Sequence, residues 1–163
     1  MSEGLAKGSA LVTGAGIRVG RAIALALADA GFDLILHAHR SPLDDIAHLV
    51  RARGRDATLA TADLSTMQGV ADLATAVNAH LHHAKHPFVL VNNAAGYEHV
   101  PFASISEAQF DHMQAVNLKA PFFLTQALLA HLQGGCVINI TDMAVDKAYS
   151  REHFFSHYLA TKA

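Results

Sequence analysis

The chain has 163 residues, which is enough for one domain with a buried core. Hydrophobic residues make up 52%, charged residues make up 16%, and the formal net charge is −2. These values exclude a disordered chain and the basic surface of a nucleic-acid-binding protein. No apolar run resembles a signal peptide or a membrane-spanning helix, so we expect a cytoplasmic protein. Cys136 is the only cysteine, so no intrachain disulfide can form, which agrees with a reducing compartment, and its strand-like setting predicts a buried thiol.

A glycine-rich turn follows the first strand-like segment. Residues 10–12 are apolar, Gly14 and Gly16 stand in the turn, and Gly20 opens a helix that continues through Leu27. Glycine permits a positive φ, a close approach of backbone to a phosphate, and tight packing of helix on sheet. The free N–H groups at the helix N-terminus would then face a pyrophosphate. By itself the pattern also fits an ordinary strand–helix turn.

Apolar strand-like runs alternate with helical patterns along the rest of the chain. The sequence predicts strands at residues 33–38, 57–61, 88–91 and 136–140. Helices are predicted at 43–52, across 70–81, from near Ser106, where Ser106 and Gln109 would form a capping box, and as a long helix through Phe122 and Leu129. This alternation predicts an α/β fold, a Rossmann-like doubly wound parallel sheet forming one domain over 1–163. The chain stops in what reads as the opening of another helix, so we treat it as a candidate fragment of a longer protein.

Tyr158 and Lys162 are four residues apart, which places them one turn apart on the same face of a helix. An adjacent ammonium favours phenolate and lowers the pKa of a phenol from its reference of about 10. Such a tyrosine can exchange protons near neutrality. Two unrelated residues on a surface helix would show the same spacing.

Five motifs occur together: Thr13-Gly14-x3-Arg18-x-Gly20, Asp63-Leu64, Asn92-Asn93-Ala94, Asn117 and Tyr158-x3-Lys162. In order and spacing they resemble the short-chain dehydrogenase/reductase family over essentially the whole chain. The resemblance implies that Tyr158 is the general acid and that Lys162 binds the nicotinamide ribose and lowers the pKa of Tyr158. It also implies that Asn117 holds a relay water, that Asp63 contacts the adenine, and that Asn93 supports the sheet beside the cofactor. The expected cofactor-binding residues are Gly14, Gly16, Arg18, Gly20, His39, Arg40, Ser41, Asp63, Leu64, Asn93, Ala94 and Lys162.

Two departures from the family pattern resemble its pteridine reductase branch, which includes dihydromonapterin and dihydrofolate reductases. Arg18 stands where the family usually has glycine, and Asp142 stands where it usually has serine. Tyr97, just beyond the Asn-Ala motif, matches an aromatic residue that can stack on a pterin ring. The resemblance implies that Arg18, Tyr97, Asp142 and Tyr158 bind substrate and that Asp142 joins Tyr158, Lys162 and Asn117 in catalysis. The alternatives are a solvated arginine, a strand-end turn residue and a rim tyrosine without a ligand.

The region after the second strand bears on the choice of coenzyme. An acidic residue there would bind the ribose 2′-OH of NAD and repel a 2′-phosphate, but residues 37–41 contain no acid. Arg40 can pair with a phosphate, and His39 and Ser41 can donate hydrogen bonds to it. The sequence therefore predicts NADPH, with NADH and a solvated Arg40 as the alternative.

The chain has twelve histidines, which raises the question of a metal site. One group comprises His80, His82, His83 and His86, and a second comprises His153 and His157 beside Glu152. Zinc needs three or four convergent ligands, and we expect no metal. The interval from Asp142 to Tyr158 is longer than is usual in the family and contains Lys147 and Arg151, so the loop geometry over the site stays open.

The resemblance implies transfer of a hydride from NADPH to a C=N bond of a dihydropterin or dihydrofolate. One alternative is an NADPH-dependent carbonyl (ketone) reductase of the same family. Another is a protein that binds NADP(H) without turnover, because the segment that normally closes the substrate pocket is absent from the sequence. We expect a small-molecule substrate, no nucleic-acid or membrane partner, and, in a full-length form, a homo-oligomer that by resemblance is a homotetramer.

Overall fold

The computed structural model describes residues 7–81, 87–143 and 156–162. Within them, the strands are β1 (Gly8–Val12), β2 (Phe32–Ala38), β3 (Ala57–Thr61), β4 (Phe88–Asn92) and β5 (Cys136–Asn139). The helices are α1 (Arg18–Asp29), α2 (Asp44–Arg51), α3 (Met67–Leu81), α4 (Glu107–Gln114), α5 (Ala120–Ala127) and α6 (Ser156–Lys162). None of these helices is long and apolar enough to cross a membrane. Strands and helices alternate as expected, which confirms the α/β fold class.

All described strand pairs are parallel, and the order in the sheet is β3-β2-β1-β4-β5. The chain therefore winds outward from β1 in one direction through β2 and β3, and in the other through β4 and β5. At the point where the winding reverses, the carboxyl ends of β1 and β4 lie side by side and open a crevice between their loops. This confirms the predicted switch point between the first and fourth strands.

Hydrophobic clusters cover both faces of the sheet. Leu11 of β1 belongs to the cluster that contains residues of α3 and α5, whereas its neighbours Ala10 and Val12 belong to the cluster that contains residues of α1 and α2. Successive side chains of a strand point to opposite faces, so one strand feeds both cores. Burial on both faces explains why the strand sequences lack polar alternation.

The helix predicted through Phe122 and Leu129 is not continuous. A π-helical turn, Ala115–Lys119, joins α4 to α5, and a short 3₁₀ turn follows at Leu129–His131. Pro121 has no N–H and cannot donate to the carbonyl of Asn117, so the regular hydrogen-bond ladder is interrupted where the backbone widens. The turn buries Asn117 near the sheet edge.

The start of α4 agrees with its sequence signal. Ser106 is the N-cap residue, its hydroxyl accepts a hydrogen bond from the Gln109 N–H, and the Gln109 side chain accepts one from the Ser106 N–H. These reciprocal bonds satisfy two N–H groups that a helix start leaves free. The predicted capping box is confirmed.

The prediction of a buried Cys136 is wrong, because this residue is exposed. All four residues of β5 are exposed, since β5 is the outer strand of the described sheet and is paired only with β4 among the described strands. An apolar sequence determines that a strand can be buried, but burial also needs an element that packs on it.

Candidate active site

A cleft of about 650 Å³ lies at the carboxyl edge of the sheet, beside the switch point. It collects nearly all the predicted site residues: Gly14, Arg18, Gly20, His39, Arg40, Ser41, Asp63, Leu64, Asn93, Ala94, Tyr97, Asp142, Tyr158 and Lys162. Gly16 and Asn117 are predicted site residues that do not line it. The sequence motifs, spread over almost 150 positions, therefore converge on one place.

The glycine turn has the shape that its sequence predicts. Gly14 has a φ of 67°, a left-handed conformation that glycine adopts without steric cost. A Cβ on Gly20 would collide with the carbonyl oxygen of Gly14 and with Nδ2 of Asn93, so α1 packs directly against the turn. Gly16 has a different role from the one expected, because it packs against Ser41 and Pro42 instead of facing the cleft.

Thr13 and Asn93 fasten the two central strands at the switch point. The Thr13 hydroxyl accepts hydrogen bonds from the N–H groups of Asn93 (2.9 Å) and Ala94 (3.0 Å) and donates to the Val91 carbonyl (3.2 Å). Nδ2 of Asn93 donates back to the carbonyls of Thr13 (2.8 Å) and Gly14 (3.2 Å). The turn is thus held in place from β4 as well as from β1.

His37, to which the sequence assigns no separate role, holds the turn from the side of β2. Its side chain is buried, its Nδ1 lies 3.4 Å from the Gly14 nitrogen, and its Nε2 lies 3.1 Å from the Ala62 carbonyl oxygen. Because a backbone N–H can only donate, Nδ1 accepts and Nε2 carries the proton, so the imidazole is neutral. Burial lowers its pKa; the bond to Ala62 opposes this shift, and the charge of His39 adds to it.

Arg18 occupies a backbone position that favours glycine. Its φ is 49°, and it is the non-glycine residue with a positive φ in the described chain. A left-handed conformation costs an L-residue about 1–2 kcal/mol, which explains physically why glycine would be the natural occupant. The exposed Arg18 side chain lines the cleft beside the turn.

The far end of the cleft carries His39 and Arg40, both exposed, and Ser41. Nδ1 of His39 lies 3.7 Å from Oδ1 of Asp63. Hydrogen bonds from the Ser65 hydroxyl (2.7 Å) and Ser65 N–H (2.9 Å) lower the pKa of Asp63, so it is ionised at neutral pH. Arg40 therefore gives this end of the cleft a cationic corner, with His39 beside it next to a fixed carboxylate.

Tyr158 and Asp142 are directly bonded. The Tyr158 hydroxyl donates to Oδ2 of Asp142 at 2.8 Å. Burial, followed by the hydrogen bond to Asp142 and the charge of Asp142, raises the pKa of Tyr158. This direction is opposite to the predicted lowering by Lys162, because a carboxylate in contact with the phenol disfavours phenolate. In this arrangement Tyr158 holds its proton as an acid.

Lys162 lies on the other side of the tyrosine. Its Nζ donates to the Ile140 carbonyl at 2.9 Å and stands 5.9 Å from the centroid of the Tyr158 ring. Burial lowers the pKa of Lys162, and the charge of Asp142 opposes that shift. The ammonium is thus anchored to the end of β5 with its charge facing the cleft.

Tyr97 stands beside the bonded pair. Its ring packs edge-on against the ring of Tyr158, with centroids 5.1 Å apart and planes at 82°. The side chain is 59% exposed, so a flat molecule can reach its ring within the cleft. Geometry of this kind suits either a stacking platform or a rim residue.

Asn117 does not line the cleft, and its side chain is bonded to neighbouring residues. Its Oδ1 accepts from the Gly96 N–H at 2.8 Å, and its Nδ2 donates to the Gly96 carbonyl (3.1 Å) and to the Thr161 hydroxyl (2.9 Å). The carboxamide is therefore bonded to Thr161 and to Gly96, which lines the cleft. The role of Asn117 in holding a relay water stays a prediction. The role of Thr161 has no sequence signal beyond its position next to Lys162.

In the described part of the chain, no three His, Cys, Asp or Glu side chains are arranged to hold a metal ion. His80 is bonded to Thr58 at 3.2 Å, and His157 is buried in α6. The other residues of the two histidine groups and of the loop after Asp142 lie outside the described residues: His82, His83, His86, Lys147, Arg151, Glu152 and His153.

The family follows from sequence comparison. A family model described as short chain dehydrogenase matches residues 8–163. The chain belongs to the short-chain dehydrogenase family. A 2-dehydro-3-deoxy-D-gluconate 5-dehydrogenase of Bacillus subtilis is 37% identical over 138 residues, covering 83% of this chain and 53% of that protein. A sepiapterin reductase of Chlorobaculum tepidum is 35% identical over 156 residues, covering 89% of this chain and 63% of that protein.

Solved structures agree with the family assignment. Landomycin C-6 ketoreductase LanV with bound NADP and rabelomycin matches with a TM-score of 0.88 at 30% identity, over 96% of this chain and 65% of that one. A metagenomic short-chain oxidoreductase in complex with NADP matches with a TM-score of 0.85 at 32% identity, over 99% and 72%. This short-chain dehydrogenase chain thus spans between half and two thirds of the length of the curated relatives given above.

Proposed function

We propose that this short-chain reductase uses NADPH to reduce a C=N bond of a dihydropterin or dihydrofolate. The observation that carries the proposal is the 2.8 Å hydrogen bond between Tyr158 and Asp142 at the cleft. It combines a phenol that keeps its proton with a carboxylate that can accept N–H groups. A reductase acting on a simple ketone has no need of that carboxylate.

The described residues fit an NADP nucleotide laid across the switch point. The Gly14 turn leads into the start of α1, and the first backbone N–H groups of a helix, which have no partner within the helix, can bind a pyrophosphate. Arg40 offers a cationic group and His39 a hydrogen-bond donor to a 2′-phosphate, and Lys162 would lie at the nicotinamide end. The two solved relatives described above carry NADP, which supports the same choice here.

The bound NADPH would supply the hydride to the carbon of the C=N bond. The hydroxyl of Tyr158 would give its proton to the nitrogen, so that the C=N bond becomes CH–NH. The ammonium of Lys162 would stabilise the phenolate that is left. Asp142 would hold the phenol in line before transfer, and solvent would restore the proton afterwards.

Three side chains favour a pterin over other substrates. The exposed ring of Tyr97 offers a face to a planar heterocycle. Arg18 offers a fork of donors to ring acceptors, and Asp142 offers acceptors to the amino and N–H groups of an aminopyrimidine. The similarity to a sepiapterin reductase supports this substrate class.

The second candidate is a carbonyl reductase of the same family. The match to a landomycin C-6 ketoreductase favours it, since Tyr158 could protonate a ketone oxygen in the same way. The third candidate is an NADP(H)-binding protein without turnover. A cytoplasmic location and a homotetramer stay predictions.

The test follows NADPH oxidation with dihydrobiopterin, dihydromonapterin, dihydrofolate and a panel of simple ketones, while calorimetry measures NADPH binding separately. We expect pterin-dependent oxidation that Asp142→Ser strongly reduces and that the matched surface variant Asp72→Ser, on α3, leaves unchanged. Consumption of ketones alone would replace the proposal by the carbonyl reductase. Tight NADPH binding with no turnover of any substrate would leave only the binding protein.

A further inference from the structure

The hydrogen bonds behind the cleft form a directed chain. The Gly96 backbone offers one donor and one acceptor, which fixes the orientation of the Asn117 carboxamide, with Oδ1 on the N–H and Nδ2 on the carbonyl. The second N–H of Nδ2 is then free to donate to the Thr161 hydroxyl at 2.9 Å. Thr161 in turn donates its own proton to the Tyr158 carbonyl at 2.6 Å. We call these four residues the Asn117 bridge.

The Asn117 bridge joins the two tyrosines of the cleft. Gly96 is followed directly by Tyr97, whose ring packs on the ring of Tyr158 at 5.1 Å. Tyr158 is therefore connected to Asn117 in two ways. Its backbone carbonyl is bonded to Thr161, which is bonded to Asn117, and its ring packs on Tyr97, which follows the Gly96 that Asn117 binds. Thr161 is the link that connects α6 to this system, and it is buried.

We propose that Thr161 is a positioning residue, which sets the place of Tyr158 relative to Tyr97 through the Asn117 bridge. It does not line the cleft, so its effect on chemistry is indirect. The inference rests on the proposed reductase function for its kinetic readout. The structural part of the proposal, that the Thr161 hydroxyl couples the positions of the Tyr97 and Tyr158 rings, does not depend on the substrate.

Loss of the hydroxyl has a defined local consequence. Valine has nearly the shape of threonine but cannot accept from Asn117, which leaves Nδ2 of the carboxamide with only the Gly96 carbonyl (3.1 Å) and Sδ of Met113 (3.8 Å), a weak acceptor. We expect the Asn117 carboxamide to rotate toward another acceptor, and this rotation would displace Gly96 and Tyr97, because the carboxamide is bonded to the Gly96 backbone. A small displacement of a reacting group lowers turnover, whereas the cofactor residues of the Gly14 turn are untouched.

The kinetic test compares Thr161→Val with Thr161→Ser, which keeps the hydroxyl, and with Thr75→Val. Thr75, an exposed residue of α3 that does not line the cleft, donates a similar bond to the Ala71 carbonyl (2.8 Å). We expect Thr161→Val to lower kcat by about tenfold, with NADPH affinity changed by less than about twofold. We expect Thr161→Ser and Thr75→Val to resemble the unmodified chain. Equal kcat for Thr161→Val and the unmodified chain would overturn the proposal.

A second measurement needs no turnover. Ring-carbon NMR signals of labelled tyrosines, assigned with Tyr97→Phe and Tyr158→Phe, should move for both Tyr97 and Tyr158 in Thr161→Val and return in Thr161→Ser. If Thr161→Val does not fold, Thr161→Ala replaces it, and we expect the same movement of the Tyr97 and Tyr158 signals in that smaller variant. A Tyr97 signal that stays in place in a folded variant overturns the coupling. If the unmodified chain turns over no substrate, the proposed function fails, and the NMR result still decides the role of Thr161.

Discussion

The hydroxyl of Tyr158 donates a 2.8 Å hydrogen bond to Oδ2 of Asp142, while Lys162 is bonded to the Ile140 carbonyl instead of to the tyrosine. The phenol is therefore closer to a negative charge than to a positive one. The pKa of Tyr158 is raised, so the phenol stays protonated at neutral pH and can act as a proton donor.

Tyr158→Phe should lower kcat by about 10²-fold or more, with NADPH affinity nearly unchanged, because it removes only the acidic proton. In the unmodified chain, the alkaline limb of the kcat/KM profile should lie above pH of about 10, the ordinary value of a tyrosine. Asp142→Asn should move that limb to lower pH, since the neighbouring charge is gone. Steady-state rates over a pH series check both, and an unmoved limb in Asp142→Asn would show that Tyr158 is not the titrating acid.

His37 predicts how stability depends on pH. Its pKa is lowered in the fold, mainly by burial, so the unfolded chain binds a proton at a higher pH than the folded chain does. The stabilisation is complete above the unfolded pKa of about 6.5 and is lost as the pH falls below it, by up to about 1.4 kcal/mol per pH unit. Urea unfolding at a series of pH values should show this slope reduced in His37→Leu. His48→Gln, on the exposed face of α2, is the control and should keep the slope.

Two substitutions of Arg18 distinguish the effect of its strained backbone on stability from the effect of its side chain on binding. At a φ of 49°, Arg18→Gly should be more stable than Arg18→Ala by about 1 kcal/mol, because only glycine relieves the left-handed conformation. Both variants lose the guanidinium and should weaken NADPH or substrate binding to a similar degree. Chemical denaturation and calorimetric titration of the two variants give the two numbers. Equal stabilities would mean that the backbone at this position relaxes on substitution.

The sequence predicts those parts of the fold whose causes are local. The capping box of Ser106 and Gln109 and the left-handed Gly14 each depend on a few neighbouring residues, so both can be recognised from the sequence alone. The order of β1 and β4 at the switch point also follows, since parallel strands with helical crossovers permit few arrangements.

Other features depend on contacts between distant segments. The exposure of Cys136 depends on what covers β5, and the raised pKa of Tyr158 depends on Asp142, sixteen residues away on a loop after β5. Asn117 could be found by its motif, but its orientation depends on the π-helical turn ahead of Pro121.

Coenzyme preference depends on the cationic corner after β2. Arg40 is exposed in the cleft, and residues 37–41 contain no carboxylate to repel a 2′-phosphate. NADPH should bind at least about tenfold more tightly than NADH, a difference of about 1.4 kcal/mol, and Arg40→Ala should remove most of it. Arg53→Ala is the matched control, because the Arg53 side chain is bonded to Asp29 and does not line the cleft. Calorimetric titration of both coenzymes measures the preference. Equal dissociation constants in the unmodified chain would contradict the prediction and would mean that Arg40 is solvated and does not contact the 2′-phosphate. A loss of NADPH affinity that leaves NADH affinity unchanged would instead locate the missing contact at the 2′-phosphate, since the two coenzymes differ only there.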